Sequence, residues 1–195
     1  RVLARNARPA VPGLARLRPG IVERDQPNSP VRYFAPWRPA DVEPASVDLM
    51  FSQAVMEYVP DLPETYALMR SWLTPGGFVS LQIDLRCHGC ADEWKGQYCY
   101  SEQTWRLIKG RRRFYLNRTP LSGHVTAIEA AGLEIRLMQT ATRPNRLSRD
   151  DLAARFRHFS EEDLTTSSTL IQAARERAPD GRAPSRTILR DQIDA

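Results

Sequence analysis

The densest group of reactive side chains in this 195-residue sequence follows Asp84. Cys87-His88-Gly89-Cys90 places two thiols beside an imidazole, and Cys99 comes shortly after. Thiolates and imidazoles are the usual ligands of zinc, and His88 or His124 would complete a set of four. The sequence lacks the second Cys-x-x-Cys pair of most structural zinc sites, and no helix start follows that would lower a thiol pKa for redox work. We therefore predict semi-buried thiols on a loop and no metal site.

Two segments around this group have the length and composition of buried strands. Residues 47–52 (VDLMFS) form a mostly apolar run, and residues 78–84 (FVSLQID) form another. Between them, an Asp followed three residues later by a Glu predicts a capped helix over 61–73. Thr74-Pro75-Gly76-Gly77 predicts the turn that ends this helix. The order of strand, helix and strand predicts a βαβ unit, which requires the two strands to be parallel.

One face of the predicted helix is apolar. It carries Leu62, Tyr66, Met69 and Leu73, which are spaced as successive turns of a helix. The helix should therefore pack on the sheet and leave the carboxyl ends of both strands at one edge, where α/β proteins bind their ligands. Those ends are residues 52–57 and 84–89, and the sequence predicts the functional site there.

The rest of the chain continues the α/β pattern. We expect helices near 101–108, capped by Ser101, and over 121–131, ended by Gly132. The segment 143–159 is polar with some helix near 150–157, and it separates two strands that should lie side by side and antiparallel, 133–140 and 164–173.

Composition divides the chain into three predicted parts. Residues 1–30 are rich in proline, glycine and arginine and form an irregular N-terminal segment. Residues 31–176 form an α/β domain, and residues 177–195 form a tail. The 42% hydrophobic and 26% charged fractions are those of an ordinary globular protein, and no apolar run approaches the ~18 residues of a membrane span. Three cysteines are too few for a disulfide framework and suggest a reducing compartment, so we expect a cytoplasmic protein.

A basic run stands out against the net charge of +5. Lys109-Gly110-Arg111-Arg112-Arg113 lies in a segment, residues 98–115, that also contains several aromatic side chains. Basic and aromatic residues in alternation are typical of nucleic-acid binding, and a basic run alone also suits an anionic small molecule, a lipid head group or a solvated surface. The sequence contains no G-x-S-x-G elbow and no glycine-rich phosphate loop, which excludes the common hydrolase and nucleotide-binding motifs.

Residues 47–84, VDLMFSQAVMEYVPDLPETYALMRSWLTPGGFVSLQID, resemble the class I S-adenosylmethionine-dependent methyltransferases. The resemblance rests on an acidic strand, a Ser-x-x-x-x-Glu turn, a helix and a Leu-x-Pro-Gly-Gly segment. The matching positions are Asp48, Ser52, Glu57, Leu73, Pro75, Gly76 and Gly77. Weaker similarity extends from VRYFAPW at 31–37 to the last predicted strand, and a bacterial subset has loops similar to Ile83–Gly89 and Asn117–His124.

The resemblance implies a Rossmann-like α/β sheet, mostly parallel with an antiparallel C-terminal hairpin, and S-adenosyl-L-methionine as the cofactor. The cofactor would lie against Trp37, Ser52, Gln53 and Ala54. The implied catalytic residues, which orient or deprotonate the methyl acceptor, are Asp84, His88 and His124. The implied substrate-binding residues are Glu57, Tyr58, Arg86 and Asn117. No metal is implied. The acceptor would be a small molecule or a polymer precursor, which the protein mainly has to align with the methyl group.

Two departures from the family pattern are clear. The family's Glu-His-Val turn is Glu57-Tyr58-Val59 here, so the proton role of that histidine is lost. The first strand and its glycine-rich cofactor loop are also missing, and the sheet is therefore expected to be N-terminally incomplete. We expect a methyltransferase that acts as part of a longer chain. Residues 1–195 alone should be marginally stable, prone to self-association and weak in cofactor binding. The alternative is a degenerate, non-catalytic domain that binds an anionic partner or RNA through the basic surface at 106–118.

Overall fold

The computed structural model describes Phe34 and residues 38–176. The chain divides into two units, Arg1–Asp41 and Val42–Ala195. In the first, a short 3-10 turn, Pro39–Asp41, is closed by Asp41, which accepts a hydrogen bond from the Arg38 backbone N–H at 2.6 Å. Trp37, the N-terminal segment 1–30 and the tail 177–195 lie outside the described residues, so the three-part division stays a prediction.

Four strands form one sheet in the second unit, in the spatial order β1-β2-β4-β3. β1 and β2 are parallel, and β4 runs antiparallel to both of its neighbours, β2 and β3. Three strands therefore point in one direction and β4 in the other. This arrangement confirms the predicted α/β class, the parallel pair and the antiparallel C-terminal strands. The strands are β1 (Val47–Gln53), β2 (Leu73–Asp84), β3 (Leu133–Thr142) and β4 (Thr166–Arg175).

The first helix, α1 (Leu62–Trp72), makes the crossover between the parallel strands. Its predicted cap is confirmed, because Asp61 Oδ1 accepts a hydrogen bond from the Glu64 backbone N–H at 3.0 Å. The predicted apolar face is also confirmed: Leu62 and Tyr66 are buried in the core, and Met69 packs against it. The face of α1 thus holds the crossover against the sheet.

The Pro-Gly-Gly segment departs from prediction. The helix ends at Trp72, Leu73 already pairs with Val47, and residues 74–77 belong to β2 rather than to a turn. They form an irregular insertion before pairing resumes between Leu49 and Phe78. Gly76 has a φ of 86°, and a Cβ atom on Gly77 would lie 2.9 Å from the Val47 carbonyl oxygen. A distorted strand so close to its neighbour needs the same residue types as a tight turn, which explains the wrong prediction.

Three further helices follow, and their predicted ends are largely confirmed. Ser101 caps the second helix by accepting a hydrogen bond from the Thr104 N–H at 3.2 Å. The fourth was not predicted: Ser160 caps it, and β4 therefore begins at Thr166 rather than at 164. In the segment 150–157, only a 3-10 turn is helical. The helices are α2 (Glu102–Lys109), α3 (Leu121–Ala130) and α4 (Glu161–Thr165), and the remaining 3-10 turns are Met56–Tyr58, Gly96–Tyr98 and Ala154–Phe156.

The main core lies between α1, α3 and one face of the sheet, to which β2 contributes Val79, Leu81 and Ile83. A second cluster forms around Tyr98 and Phe156. The opposite face of β1 and β2 is less covered. Among large apolar side chains of the described residues, Leu49, Phe51 and Phe78 are exposed there, and β1 is an edge strand of the described sheet.

One polar pair is buried in the main core. Tyr66 Oη and His124 Nδ1 lie 2.9 Å apart, and both residues are fully buried. Burial lowers the pKa of His124 to about 4, so the imidazole is neutral. Its Nδ1 atom can then accept a hydrogen bond from the Tyr66 hydroxyl. None of the helices in the described part of the chain has the length and apolar character that a bilayer crossing needs.

The pH dependence of stability follows from the buried imidazole. An unfolded chain protonates His124 near pH 6.5, whereas the folded chain resists protonation down to about pH 4. We expect the free energy of unfolding to fall by about 3 kcal/mol as pH drops through this window. In urea denaturation at a series of pH values, the free energy of unfolding of His124→Asn should fall much less over this window than that of the wild-type chain. His158→Asn, at an exposed position, is the control and should keep the wild-type decrease, and equal curves for all three proteins would contradict the assignment.

The exposed edge of β1 predicts association between copies of the chain. Phe51 is 67% exposed and Leu49 is 52% exposed on a strand with a partner on one side only among the described residues. We expect concentration-dependent association in sedimentation velocity, reduced in Leu49→Ser/Phe51→Ser. Leu107→Ser, which removes an equally exposed side chain outside the sheet, should leave association unchanged. A wild-type chain that remains monomeric over the whole concentration series would rule this interface out.

Candidate functional site

The two predicted segments meet at the carboxyl ends of β1 and β2. Beyond β1, Ala54 adopts a φ of 52° and donates its backbone N–H to the Gln82 carbonyl at 2.9 Å. The chain then turns through Met56–Tyr58, while β2 ends at Asp84 and Leu85 bonds to the Ser167 carbonyl at 2.9 Å. Both loops are therefore held by backbone hydrogen bonds, and they enclose a common cleft.

The cleft is narrow, and most of its lining residues have polar side chains. It has about 210 Å³ of empty space, of which about 10 Å³ can hold the centre of a water molecule, enough for roughly one ordered water. An acceptor larger than water would therefore need the loops to separate. The lining residues are Glu57, Asp84, Leu85, Arg86, Gln97, Tyr98, Leu116, Asn117, Arg118 and Thr119.

Glu57 is the most unusual of these residues. It is 3% exposed, and neither carboxylate oxygen has a hydrogen-bond partner in the described part of the chain. Burial raises the pKa of Glu57, the charge of Asp84 raises it further, and the more distant backbone N–H groups of Glu57 and Asp84 only partly offset the rise. A buried carboxyl group without partners is costly for the fold, so it is ready to bind a ligand that supplies an N–H or O–H donor.

Asp84 faces the same cleft in the opposite electrostatic situation. Its carboxylate accepts hydrogen bonds from the Arg86 backbone N–H at 3.0 Å, from Arg86 Nε at 2.9 Å and from Arg86 Nη2 at 2.6 Å. His88 Nε2 lies 3.6 Å from Asp84 Oδ2. Burial alone would raise the pKa of Asp84, but the hydrogen bonds from Arg86 and the positive charges of His88 and Arg86 outweigh it and lower the pKa.

The pKa values of the two carboxyl groups are thus shifted in opposite directions within one cleft. Such pairs are where enzymes divide acid, base and electrostatic roles. Because Asp84 is engaged by Arg86, it is a weak base and a fixed negative charge. Glu57, with a raised pKa and free oxygens, is the better proton acceptor. The structure therefore favours a proton role for Glu57, which the sequence placed among substrate-binding residues, over Asp84.

His88 and Tyr58 lie together at the rim. Their ring centroids are 5.6 Å apart, and the side chain of His88 is 30% exposed. His88 has a φ of 52°, followed by Gly89 with a φ of 77°, and this left-handed turn brings the imidazole back toward Asp84. The predicted residues Tyr58, Asp84, Arg86 and His88 are therefore brought together.

Asn117 supports the turn that carries Glu57. Its Nδ2 atom donates to the carbonyls of Met56 at 2.8 Å and Val59 at 3.0 Å, and its backbone N–H donates to the Glu57 carbonyl at 2.8 Å. Its Oδ1 atom accepts from the Thr119 N–H at 2.9 Å. The predicted substrate-binding side chain is thus fully engaged within the protein and positions Glu57.

Ser52, Gln53 and Ala54 follow one another at the end of β1. Ser52 and Gln53 pair with Leu81 and Gln82 of β2. The Ser52 hydroxyl is buried without a hydrogen-bond partner among the described residues, so this strand end fits a ligand with a polar group. The cofactor-binding role that the sequence assigns to these residues is compatible with that orphaned hydroxyl and stays a prediction. For Trp37 nothing can be added, since it lies outside the described residues.

His124 lies apart from the cleft, buried against Tyr66, and the reaction proposed below gives it no role. Two of the three thiols are also in surroundings that do not favour metal binding or redox chemistry. Cys87 Sγ is directed at the carbonyls of Ala91, at 3.5 Å, and Glu93, at 3.3 Å, and burial raises the pKa of Cys90 to about 11. Within residues 38–176, no three His, Cys, Asp or Glu side chains are grouped to hold a metal ion.

Arg118 and Gln97 of the cleft and the buried Lys95 are among the residues that the sequence did not single out. Arg118 is 6% exposed, donates to the Tyr100 carbonyl at 2.8 Å and forms an ion pair with Glu102. The Gln97 side chain donates a hydrogen bond to the Leu85 carbonyl at 3.0 Å and so joins the loop after β2 to the cleft wall. Lys95 is fully buried between aromatic rings, and burial lowers its pKa to about 7. These residues lie on irregular segments, where no periodicity marks a side chain as buried.

No family model matches the sequence, and no curated protein matches it. Solved structures of S-adenosylmethionine-dependent methyltransferases are similar to the chain. One from Methanosarcina mazei is 12% identical over 76% of this chain and 67% of that chain, with a TM-score of 0.49. One from Mesorhizobium loti is 17% identical over 69% of this chain and 64% of that chain, with a TM-score of 0.41.

A third similar structure is phosphoethanolamine N-methyltransferase 2 from Haemonchus contortus in complex with S-adenosyl-L-methionine. It is 17% identical over 70% of this chain and 35% of that chain, with a TM-score of 0.42. The chain spans about half to two thirds of the length of most solved structures reported as similar.

The support that Asn117 gives to the turn can be measured. Asn117→Ala removes the hydrogen bonds to two buried carbonyls and should lower the free energy of unfolding by about 1–3 kcal/mol in urea denaturation. Asn145→Ala is the matched control, because that side chain accepts one bond, from the Leu147 N–H at 3.1 Å, on a loop outside the cleft. Equal losses for both variants would show that Asn117 has no special role in the turn.

Proposed function

We propose that the cleft between the loops after β1 and β2 binds a polar acceptor for S-adenosylmethionine-dependent methyl transfer, with Glu57 as the proton acceptor. The observation that carries the proposal is the buried Glu57 carboxyl group, which lines the cleft and has no hydrogen-bond partner for either oxygen among the described residues. The acceptor is a small molecule or polymer precursor that carries a hydroxyl or amine. Such a group would satisfy the Glu57 carboxylate as it binds.

The proposed cofactor would be held by Ser52, Gln53 and Ala54 at the end of β1, where the orphaned Ser52 hydroxyl is available. S-adenosylmethionine supplies an electrophilic methyl group whose transfer leaves a neutral thioether. The neighbouring cleft wall then has two tasks: it aligns the acceptor heteroatom, and it removes the proton that this atom loses. Asn117 holds the Glu57 turn at the required place through the Met56 and Val59 carbonyls.

Glu57 would take the proton that the acceptor loses on one of its carboxylate oxygens. Asp84 remains ionised because Arg86 binds it, so it does not compete for the proton. Its fixed charge favours a positively polarised acceptor, and His88 Nε2 lies 3.6 Å from Asp84 Oδ2. His88 and Tyr58 form the rim across which the acceptor enters.

A nuclear magnetic resonance titration tests the cofactor site even where affinity is weak. S-adenosylhomocysteine should shift the backbone amide signals of residues 52–54, and Ser52→Val should reduce the shifts. Transfer of a labelled methyl group to a panel of sugars, amines and hydroxy acids then identifies the acceptor. Unchanged amide signals at saturating ligand would contradict the cofactor site.

With an acceptor in hand, Glu57→Gln should lower kcat by at least about a hundredfold, the usual contribution of a general base. The variant keeps the shape of the side chain, so the amide shifts with S-adenosylhomocysteine should persist. The pKa of Glu57 is raised above its ordinary 4.5. As the pH is lowered, activity should therefore begin to fall at a pH higher than an ordinary glutamate would give. Glu43→Gln, at an exposed position, is the control, and equal kcat values for the two variants would remove Glu57 from the mechanism.

A further inference from the structure

The end of α2 and the segment after it form a basic surface, defined here as residues 106–114. It contains Arg106, Lys109 and the run Arg111–Arg113. No Asp or Glu occurs between Glu102 and Glu129, and Glu102 itself is paired with Arg118 and Arg155. The positive charge of the basic surface is therefore not neutralised by an acidic side chain of its own segment.

The same surface presents large apolar side chains to solvent. Leu107 is 82% exposed and Phe114 is 64% exposed. The other exposed large apolar side chains of the described second unit lie at or just beyond β1 and at the start of the regular β2 pairing. Two exposed apolar residues among five cations are thus a local feature of this surface.

The backbone of the basic surface is held in place. Arg112 turns back to cap α2, with Nε donating to the Lys109 carbonyl at 3.0 Å and a second bond reaching the Ile108 carbonyl. Its guanidinium also lies 4.0 Å from the centre of the Tyr115 ring. Gly110, with a φ of 57°, makes the reversal possible. The neighbouring Arg111 and Arg113 stay exposed on a turn of defined shape.

The aromatic residues that suggested nucleic-acid binding are used in internal packing. Trp105 is buried, and its ring contacts Tyr100 at 6.1 Å, Tyr115 at 5.2 Å and the Arg118 guanidinium at 4.6 Å. Stacking on unpaired bases requires exposed aromatic faces. Among the aromatic side chains of residues 105–115, Phe114 alone is exposed, so the surface lacks the series of platforms that a single strand needs.

We propose that the basic surface docks the protein onto an anionic lipid bilayer. Arg106, Lys109, Arg111 and Arg113 would face the lipid phosphates, and Leu107 and Phe114 would enter the head-group region. Exposed cations beside exposed leucine and phenylalanine are the combination that binds such interfaces, since each needs the other for stable attachment. The proposal does not depend on the methyl transfer proposed above.

Vesicle co-sedimentation of the full chain tests the proposal. It should bind vesicles that contain phosphatidylglycerol and not vesicles of phosphatidylcholine alone, and added salt should weaken the binding. Arg111→Glu/Arg113→Glu should lower the partition coefficient by at least about tenfold. Arg143→Glu/Arg146→Glu, which makes the same change of charge at exposed positions elsewhere, should not.

Substitutions at two apolar residues distinguish binding to a bilayer from binding to RNA. Leu107→Ser should weaken vesicle binding several-fold, because leucine inserts into lipid but does not stack on bases. Phe114→Leu should leave vesicle binding unchanged, whereas it would abolish stacking on the bases of RNA. Circular dichroism confirms that the variants are folded, which is expected because these side chains are exposed.

Three results would overturn the proposal. The first is absence of binding to phosphatidylglycerol vesicles by the wild-type chain. The second is equal binding by wild type and Arg111→Glu/Arg113→Glu. The third is tighter binding to single-stranded RNA, by fluorescence anisotropy, that falls with Phe114→Leu and not with Leu107→Ser. That last pattern would assign the surface to nucleic acid.

Discussion

Ala54 donates its backbone N–H to the Gln82 carbonyl, and this bond extends the parallel ladder of β1 and β2 to the residues that open the cleft. The candidate site depends on this pairing, because only parallel strands bring two carboxyl ends to one edge of a sheet. The irregular Pro-Gly-Gly segment contributes to it. It absorbs extra residues between the Leu73 and Phe78 pairings, so the alternation of β2 places Val79, Leu81 and Ile83 in the core.

Two carboxyl groups share the resulting cleft, and their surroundings differ in one respect. The Arg86 fork binds Asp84, whereas both oxygens of Glu57 lack partners in the described residues. The buried Glu57 destabilises the fold unless it is protonated or meets a donor. Asn117 holds it there by bonding three backbone groups of the Met56–Val59 turn. Such a locally unfavourable arrangement, maintained by its surroundings, is typical of a functional site.

The basic surface and the cleft are connected through one packed group of side chains. Trp105 and Arg118 are stacked, and Arg118 lines the cleft while it reaches the Tyr100 carbonyl. This packing leaves Leu107 and Phe114 exposed, next to the exposed Arg111 and Arg113. The residues that follow the basic surface, Leu116–Thr119, are themselves cleft residues. The basic surface therefore directly precedes, in the sequence, residues that line the candidate cleft.

The sequence by itself determined most elements of this fold and the edge of the sheet where its candidate site lies. Apolar runs at 47–52 and 78–84, the Asp61 cap and the face of Leu62 and Tyr66 are local patterns, and local patterns specify strands, helices and a parallel crossover. The resemblance to methyltransferases over 47–84 rests on the same stretch. Both strand ends were therefore identified before any contact was known.

Only the tertiary structure decided how the side chains at that edge are buried and which partners they have. The sequence treated Asp84 and His124 as catalytic candidates and Glu57 as a binding residue, but the burial of His124 against Tyr66 and the Arg86 bonds to Asp84 come from chain packing. Packing likewise placed Trp105 against Tyr115, left Phe114 exposed and brought Gln97 and Arg118 to the cleft. Protonation and exposure depend on neighbours distant in sequence, and a linear pattern contains no information about those neighbours.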